Sequence, residues 1–271
     1  KMKKILSLVS LILIGLFLIS CGAKKEENIS GNTSPATNSG AEKIKIKVGT
    51  EGAYAPFTFV DESGKLTGYD VEVVEEIAKR ANLEVEFVPT PWDSMFLGLE
   101  SKKFDFIANQ IARNPEREQK YNFSDEYLIS AVQIIVKKGR TDIKTLEDFK
   151  GKKILTGVGS NYNKILTDYD KNNEFKLSYY DGNITIALDE ISQGKADATI
   201  NDRLTVGYFL KQKGDLVELV GDPIQQSPVY FTFRKDSEEL IEKVNKALEE
   251  IKTDGTLGKI SEKWFNADYT K

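Results

Sequence analysis

From residue 44 onward, short apolar runs alternate with stretches whose apolar positions recur every three or four residues. Residues 44–48, IKIKV, alternate apolar and polar, the period of a half-buried strand. Residues 57–60 and 65–69 flank the turn DESG and read as a linked pair of strands. Val71, Val74, Ile77, Ala78 and Ala81 share one helical face, with Asp70 placed to cap that helix. A strand over 83–88, a helix over 92–101 and a strand over 104–108 complete a βαβαβ order. That order predicts a mostly parallel sheet with helices on its faces. Asn114 and Pro115 then read as N-cap and first residue of a further helix.

The order starts again. Strands are expected over 132–136, 151–157, 175–179, 196–200 and 216–220, with helices over 161–169, 184–192 and 202–211 between them. Thr145 and Asp148 fit a capping box. Leu240, Val244, Ala247, Leu248 and Ile251 form the apolar stripe of a long helix, followed by Gly255 and a shorter helix ending at Trp264 and Phe265. Two α/β units imply two lobes, and ligands of open α/β sheets bind beyond the carboxyl ends of the strands. A cleft between the lobes is the expected site. The units also share a signature, SKKFDFIANQ against QGKADATIND. Asp105 and Asp197 read as structural carboxylates satisfied by nearby N–H groups. Asn109, Gln110, Asn201 and Asp202 stand where the chain emerges into the cleft.

The first twenty residues change the picture. Lys3 and Lys4 precede an apolar run over 5–19, the pattern of a secretory signal peptide; the run is at the short end of what spans a bilayer. It ends LISCG, and Cys21 is the only cysteine. L-x-S-C-G resembles the bacterial lipobox. That resemblance implies cleavage before Cys21 and lipid on its sulfur and new amino terminus, several acyl chains that hold a protein at a membrane nearly permanently. Residues 22–41 are rich in Ser, Asn, Gly and Thr, a flexible tether. Without residues 1–20, 35 basic residues face 42 acidic ones, a net −7 that argues against nucleic acid as a partner. Histidine is absent, which excludes His-dependent triads and His-ligated metals. No P-loop, GxGxxG or cysteine cluster points to a cofactor.

The folded region resembles family 3 of the bacterial extracellular solute-binding proteins, the receptors of polar amino-acid ABC transporters. The segments that carry the resemblance are YAPFTFVDESGKLTGYDVEVVEEIA, WDSMFLGLESKKFDFIANQIARNPERE followed by YNFSDEYL, GKKILTGVGSNY, GKADATINDR and KTDGTLGKISEKWF. NQIARNPERE with YNFSDEYLIS, and the ending SEKWFNADYTK, look most like the cystine-binding members. The resemblance implies a type II periplasmic-binding-protein-like α/β fold. Lobe 1 would take residues 44–132 and 232–271 and lobe 2 residues 133–231, with a lipoprotein signal over 1–20 and anchor and tether over 21–43. Two hinge crossings are expected, over 131–134 and 228–232.

The implied ligand is a free α-amino acid, whose charged groups each need a partner once buried. Arg117 matches the arginine that clamps the carboxylate, for which a guanidinium offers a bidentate fork. On its residues alone, a surface salt bridge to Glu116, Glu118 or Asp125 is the competing reading. Ala112 stands where relatives often carry Ser or Thr, leaving only its N–H to serve. Asp202 matches the acid that pairs the ammonium, and its position also suits a helix N-cap. Asn161 and Tyr162 match a second-lobe loop that completes the carboxylate site; Asn109 and Gln110 match first-lobe positions facing the ligand. Tyr54 and Trp92 match the aromatics that sandwich the side chain, Phe57 is expected in the core, and Glu51 meets the distal part. Glu51 suits the second ammonium of cystine or the cationic end of arginine or lysine, and histidine and glutamine stay open as ligands. Arg113 is expected as a solvated surface residue.

The resemblance implies no enzyme activity. Instead, a monomeric clamp closes on the ligand and docks on a membrane permease. An extracytoplasmic dehydratase-type enzyme on the same fold is the alternative of another class, with Glu51 and Asp202 as its acid pair. A surface adhesin or signalling receptor is a third.

Overall fold

The computed structural model describes residues 42–181 and 183–271. The expected signal peptide, the Cys21 lipid site and the tether up to residue 41 lie outside the described residues.

The first unit opens with β1 (Ile44–Thr50), a small three-stranded sheet of β2 (Ala53–Tyr54), β3 (Thr58–Val60) and β4 (Leu66–Thr67), and α1 (Tyr69–Arg80). It continues through β5 (Leu83–Pro89), α2 (Trp92–Glu100), β6 (Phe106–Ile111), α3 (Pro115–Lys120) and β7 (Tyr121–Phe123). β8 (Leu128–Lys137) leads into the second unit: a 3₁₀ turn (Leu146–Phe149), β9 (Lys153–Gly157), α4 (Asn161–Tyr169), β10 (Lys176–Tyr180), α5 (Ile184–Ser192), β11 (Ala198–Asp202) and α6 (Arg203–Lys213). The chain returns along β12 (Val217–Arg234) and closes with α7 (Glu238–Thr253) and α8 (Thr256–Phe265).

The large sheet runs β10-β9-β11-β8-β12-β6-β1-β5, with β7 beside β12. β1 pairs in parallel with β5 and β6, and β9 pairs in parallel with β10 and β11. β8 and β12 run antiparallel to their neighbours and join the two parallel halves. β12 pairs with β8 over Val217–Val220 and Gln225–Val229, then with β6 and β7 from Tyr230 onward. The two expected crossings therefore fall on β8 and on β12. β12 is an 18-residue strand rather than the five-residue strand expected from its apolar start. Separate hydrophobic cores sit on either side of this seam. One is built on Val48, Phe57, Tyr69, Ile77, Phe231 and Leu248, another on Ile134, Phe149, Ile154 and Leu166.

Local chemistry accounts for most elements. β6 is buried along its whole length, as expected of a parallel strand covered on both faces. Phe57 is fully buried, and Val244, Ala247, Leu248 and Ile251 form the inner face of α7. Thr145 and Asp148 do bond, the carboxylate accepting from the Thr145 N–H at 2.9 Å and hydroxyl at 3.0 Å, but they open a single 3₁₀ turn.

Asp70 does not cap α1. Gly68 is the N-cap, at φ 134°, where a Cβ would lie 2.2 Å from the Phe57 carbonyl oxygen. Asp70 is the second residue of the helix, in its first turn, and fully buried. A capping aspartate faces solvent or the helix N–H groups; this one turns inward to partners distant in sequence.

Candidate functional site

A cavity of about 490 Å³ lies between the two halves. Its wall is made where strands end: Glu51 after β1, Pro89 and Thr90 at β5, Asn109 and Gln110 in β6, Gly157 at β9, Tyr180 at β10 and Asn201 in β11. This is the crevice at the carboxyl ends of the strands.

Two buried strands present its centre, and each is set by a matching clamp. Asp105 Oδ2 accepts the Lys47 N–H at 2.7 Å, and Asp197 Oδ2 accepts the Lys153 N–H at 2.7 Å. Both aspartates are structural, as expected. Beyond them the strands carry polar residues into the cleft. Asn109 Oδ1 accepts the Glu51 N–H at 2.7 Å, and its amide nitrogen donates to Glu51 Oε2 at 3.4 Å. Burial raises the Glu51 carboxyl above its ordinary range, and the Asn109 bond offsets part of that.

Arg117 lies in α3, whose N-cap Asn114 accepts the Arg117 N–H at 2.9 Å. Pro115 brings no N–H, so the start of α3 has few donors left for a ligand. The side chain is the feature that matters. It is 8% exposed, donates to the Ala112 carbonyl at 2.9 Å and lies 4.9 Å over the Phe96 ring and 5.5 Å over Trp92. No carboxylate among the described residues pairs with it, which removes the expected alternative of a salt bridge to Glu116, Glu118 or Asp125. Burial lowers its pKa to about 10, still fully charged at neutral pH. A buried guanidinium without a counter-ion is a site for an anion.

The opposite side carries the complement. Asp202 caps α6, its Oδ1 accepting the N–H groups of Leu204 at 2.8 Å and Thr205 at 3.3 Å. Oδ2 is buried and makes no hydrogen bond within 3.5 Å, and the Ser130 Oγ and Gln110 Nε2 donors, equally unbonded, lie close enough to stabilise the carboxylate. Burial raises the Asp202 pKa, and the nearby donors offset part of the rise. Asp202 is therefore not on the cavity wall itself. Asn201 is, and Asp202 lies one residue behind it, fully buried among polar side chains.

The two halves touch across the cavity. Tyr54 Oη donates to Asn201 Oδ1 at 3.0 Å and lies 3.4 Å from Tyr162 Oη, which reaches Gln110 Oε1 at 3.5 Å. Trp92 Nε1 donates to the Val158 carbonyl at 3.2 Å, and Asn114 reaches Asn161 at 3.4 Å. Burial pushes the hydroxyls of Tyr54, Tyr162 and Tyr180 well above their ordinary values, so all three stay neutral. The first N–H groups of α4, at Asn161 and Tyr162, have no intrahelical carbonyl.

Glu51, Tyr54, Trp92, Asn109, Gln110, Ala112, Arg117, Asn161 and Tyr162 thus meet in one cavity, with Asp202 behind its wall. Arg113 is exposed but not simply solvated. It stacks 3.9 Å over Tyr230 and donates to the Ser124 carbonyl at 2.9 Å, away from the cavity. Thr90, Tyr180, Asn201 and Ser227 line the cavity without having been singled out as ligand contacts. The strand-end rule alone would have found the first three. Ser227 stands inside a strand whose length was not foreseen. Among the described residues, no cluster of three Cys, Asp or Glu side chains could hold a metal ion.

The family model of bacterial extracellular solute-binding proteins, family 3, matches residues 46–267. The L-cystine-binding protein TcyA of Bacillus subtilis (strain 168) is 44% identical, over all of both chains. The L-cystine-binding protein TcyJ of Escherichia coli (strain K12) is 39% identical over 85% of this chain and 86% of that protein. The structure of an ancestral arginine-binding protein bound to arginine is similar with a TM-score of 0.78 and 38% identity, covering 83% of this chain and 99% of that one.

Proposed function

Because the chain belongs to the bacterial extracellular solute-binding proteins of family 3, we propose that it is the L-cystine receptor of an amino-acid ABC importer. The family and its relatives are solute-binding proteins, and their place is outside the cytoplasm. The fold, two α/β lobes around a cleft, is that of the type II binding proteins.

The observation that carries the reading is the buried Arg117 guanidinium on the cavity wall, which no carboxylate among the described residues pairs, with the buried Asp202 carboxylate, which no cation among them pairs, just behind Asn201 on the same wall. A free α-amino acid brings one anion and one cation on adjacent atoms, which such a pair accepts. Its carboxylate meets Arg117, with the Ala112 N–H and the first N–H groups of α4 beside it. Its ammonium reaches Asp202 past Asn201 and Gln110. Tyr54 and Trp92 flank the side chain. Residues 44–132 with 232–271 move against residues 133–231, β8 and β12 flexing at the crossings. The ligand touches both lobes and so favours the closed form by its differential contacts. The closed monomer delivers it to the permease. Lipid on Cys21 holds the mature protein at the membrane by the tether.

A cationic amino acid is the second reading, and one observation favours it. Among the described residues, the cavity wall carries one cation, Arg117, against three carboxylates, Glu51, Asp93 and Asp181. Those acids suit the second ammonium of cystine, but they suit a guanidinium equally, and among the described lining residues no second cation waits for cystine's other carboxylate. Titration calorimetry of the ligand-stripped protein with L-cystine, L-arginine and L-glutamine separates the two. Submicromolar binding of L-cystine is expected. Submicromolar L-arginine without L-cystine would overturn the cystine reading, and no binding of any of them would overturn the receptor reading.

A further inference from the structure

Asp70 is a carboxylate buried without a cation, which is costly unless its oxygens are well bonded. Both are. Oδ1 accepts the Tyr127 hydroxyl at 2.9 Å, and Oδ2 accepts the Gln110 backbone N–H at 2.6 Å. Tyr127 is itself fixed, its carbonyl accepting the Tyr69 hydroxyl at 3.0 Å. Burial moves the Asp70 carboxyl up to about 7, and these two bonds limit the rise.

The Gln110 N–H is not an ordinary strand donor. β6 and β12 slip in register between Ile107, opposite Thr232, and Ile111, opposite Tyr230. Four steps on β6 therefore face two on β12, a bulge. Gln110 sits in that bulge at φ 50°, the left-handed region, which is strained for a non-glycine residue. The conformation turns its side chain into the cavity, toward Tyr162 across the cleft, with Nε2 left without a partner.

We propose that Asp70 is a positioning residue of the amino-acid site: it accepts the N–H released by the bulge, holds Gln110 in its left-handed conformation and so aims the Gln110 amide at the ligand. This rests on the receptor reading above. The bond to a charged acceptor is stronger than one to a neutral one, which gives a reason for a carboxylate where the core alone would favour an apolar residue. α1 thereby reaches the cleft without touching the ligand.

The test is L-cystine affinity by calorimetry at pH 8, where the Asp70 carboxylate is ionised. Asp70→Ala is expected to weaken binding about tenfold, and Asp70→Asn, which keeps an acceptor oxygen, by less than about threefold. In a Gln110→Ala background, Asp70→Ala is expected to change affinity by less than about twofold, because the side chain it positions is gone. Tyr127→Phe removes the other bond to Asp70 and is expected to lower the melting temperature while leaving affinity within about twofold. Equal fold-losses for Asp70→Ala in both backgrounds, or a loss in Tyr127→Phe matching that of Asp70→Ala, would overturn the proposal. Should Asp70→Ala not fold, Asp70→Asn and Tyr127→Phe decide: a loss above about threefold in Tyr127→Phe that matches or exceeds the loss in Asp70→Asn contradicts it. If the wild-type protein binds none of the three amino acids, the receptor reading fails instead. Hydrogen exchange of the Gln110 amide then tests the Asp70 link without ligand. Its protection is expected to fall about tenfold in Asp70→Ala, by less in Asp70→Asn, and to hold in Tyr127→Phe, and unchanged protection in Asp70→Ala contradicts it.

Discussion

β6 and β11 occupy corresponding places in the two lobes, and each follows an aspartate that clamps the strand beside it. Asp105 takes the Lys47 N–H and Asp197 the Lys153 N–H at the same 2.7 Å, and each aspartate returns its own N–H to the same residue's carbonyl. An arginine stands by each, Arg234 Nη2 at 3.9 Å from Asp105 and Arg140 Nη1 at 2.7 Å from Asp197. At their far ends the strands part. β6 bulges, throws Gln110 into a left-handed conformation and leads on to the buried Arg117. β11 runs straight into α6, and its last residue, Asp202, caps that helix with one oxygen and leaves the other open. One scaffold thus ends once in a cation and once in an anion. That asymmetry suits a zwitterion, which two identical ends would not.

The largest break in this comparison is expected from Arg117→Ala. Loss of a buried charge partner should lower affinity for any α-amino acid about a hundredfold or more, measured by calorimetry, with the fold retained in circular dichroism. Retained affinity would remove Arg117 from the site. Asp202→Asn sharpens the other end. Asparagine caps a helix as well as aspartate does, so the melting temperature should move little while affinity falls roughly tenfold or more. A drop in stability without a drop in affinity would leave Asp202 as a cap alone. The smallest effects are expected where the strands match. Asp105→Ala and Asp197→Ala should each cost about 1–2 kcal/mol in urea unfolding and leave affinity within about twofold. Asp197 should lose more, because its arginine is closer.

The matching halves were legible because their cues are local. The Asp-strand-polar signature, the apolar periods and the Asn114-Pro115 helix start all depend on neighbours in sequence. Arg117 and Asp202 were legible by residue type and by the resemblance of their segments. What distance hides was missed. Asp70 looks like a helix cap because an aspartate before an amphipathic run usually is one. Its actual partners, Gln110 and Tyr127, are 40 and 57 residues away. The bulge in β6 depends on the register of β12, which no stretch of β6 encodes. Arg113 and Arg117 lie four residues apart on the same short helix approach, yet one stacks on Tyr230 and the other faces the cleft. Only the packing of β7 and β12 against that approach separates them.

If one amino acid bridges the ends of β6 and β11, a crystal structure with L-cystine should show it. The expected result is a ligand carboxylate within hydrogen-bond distance of the Arg117 guanidinium and, on the same ligand carbon, an ammonium bonded to Asp202 Oδ2. A ligand bound in the cleft with its carboxylate away from Arg117, or with Asp202 still sealed behind Asn201, would contradict it.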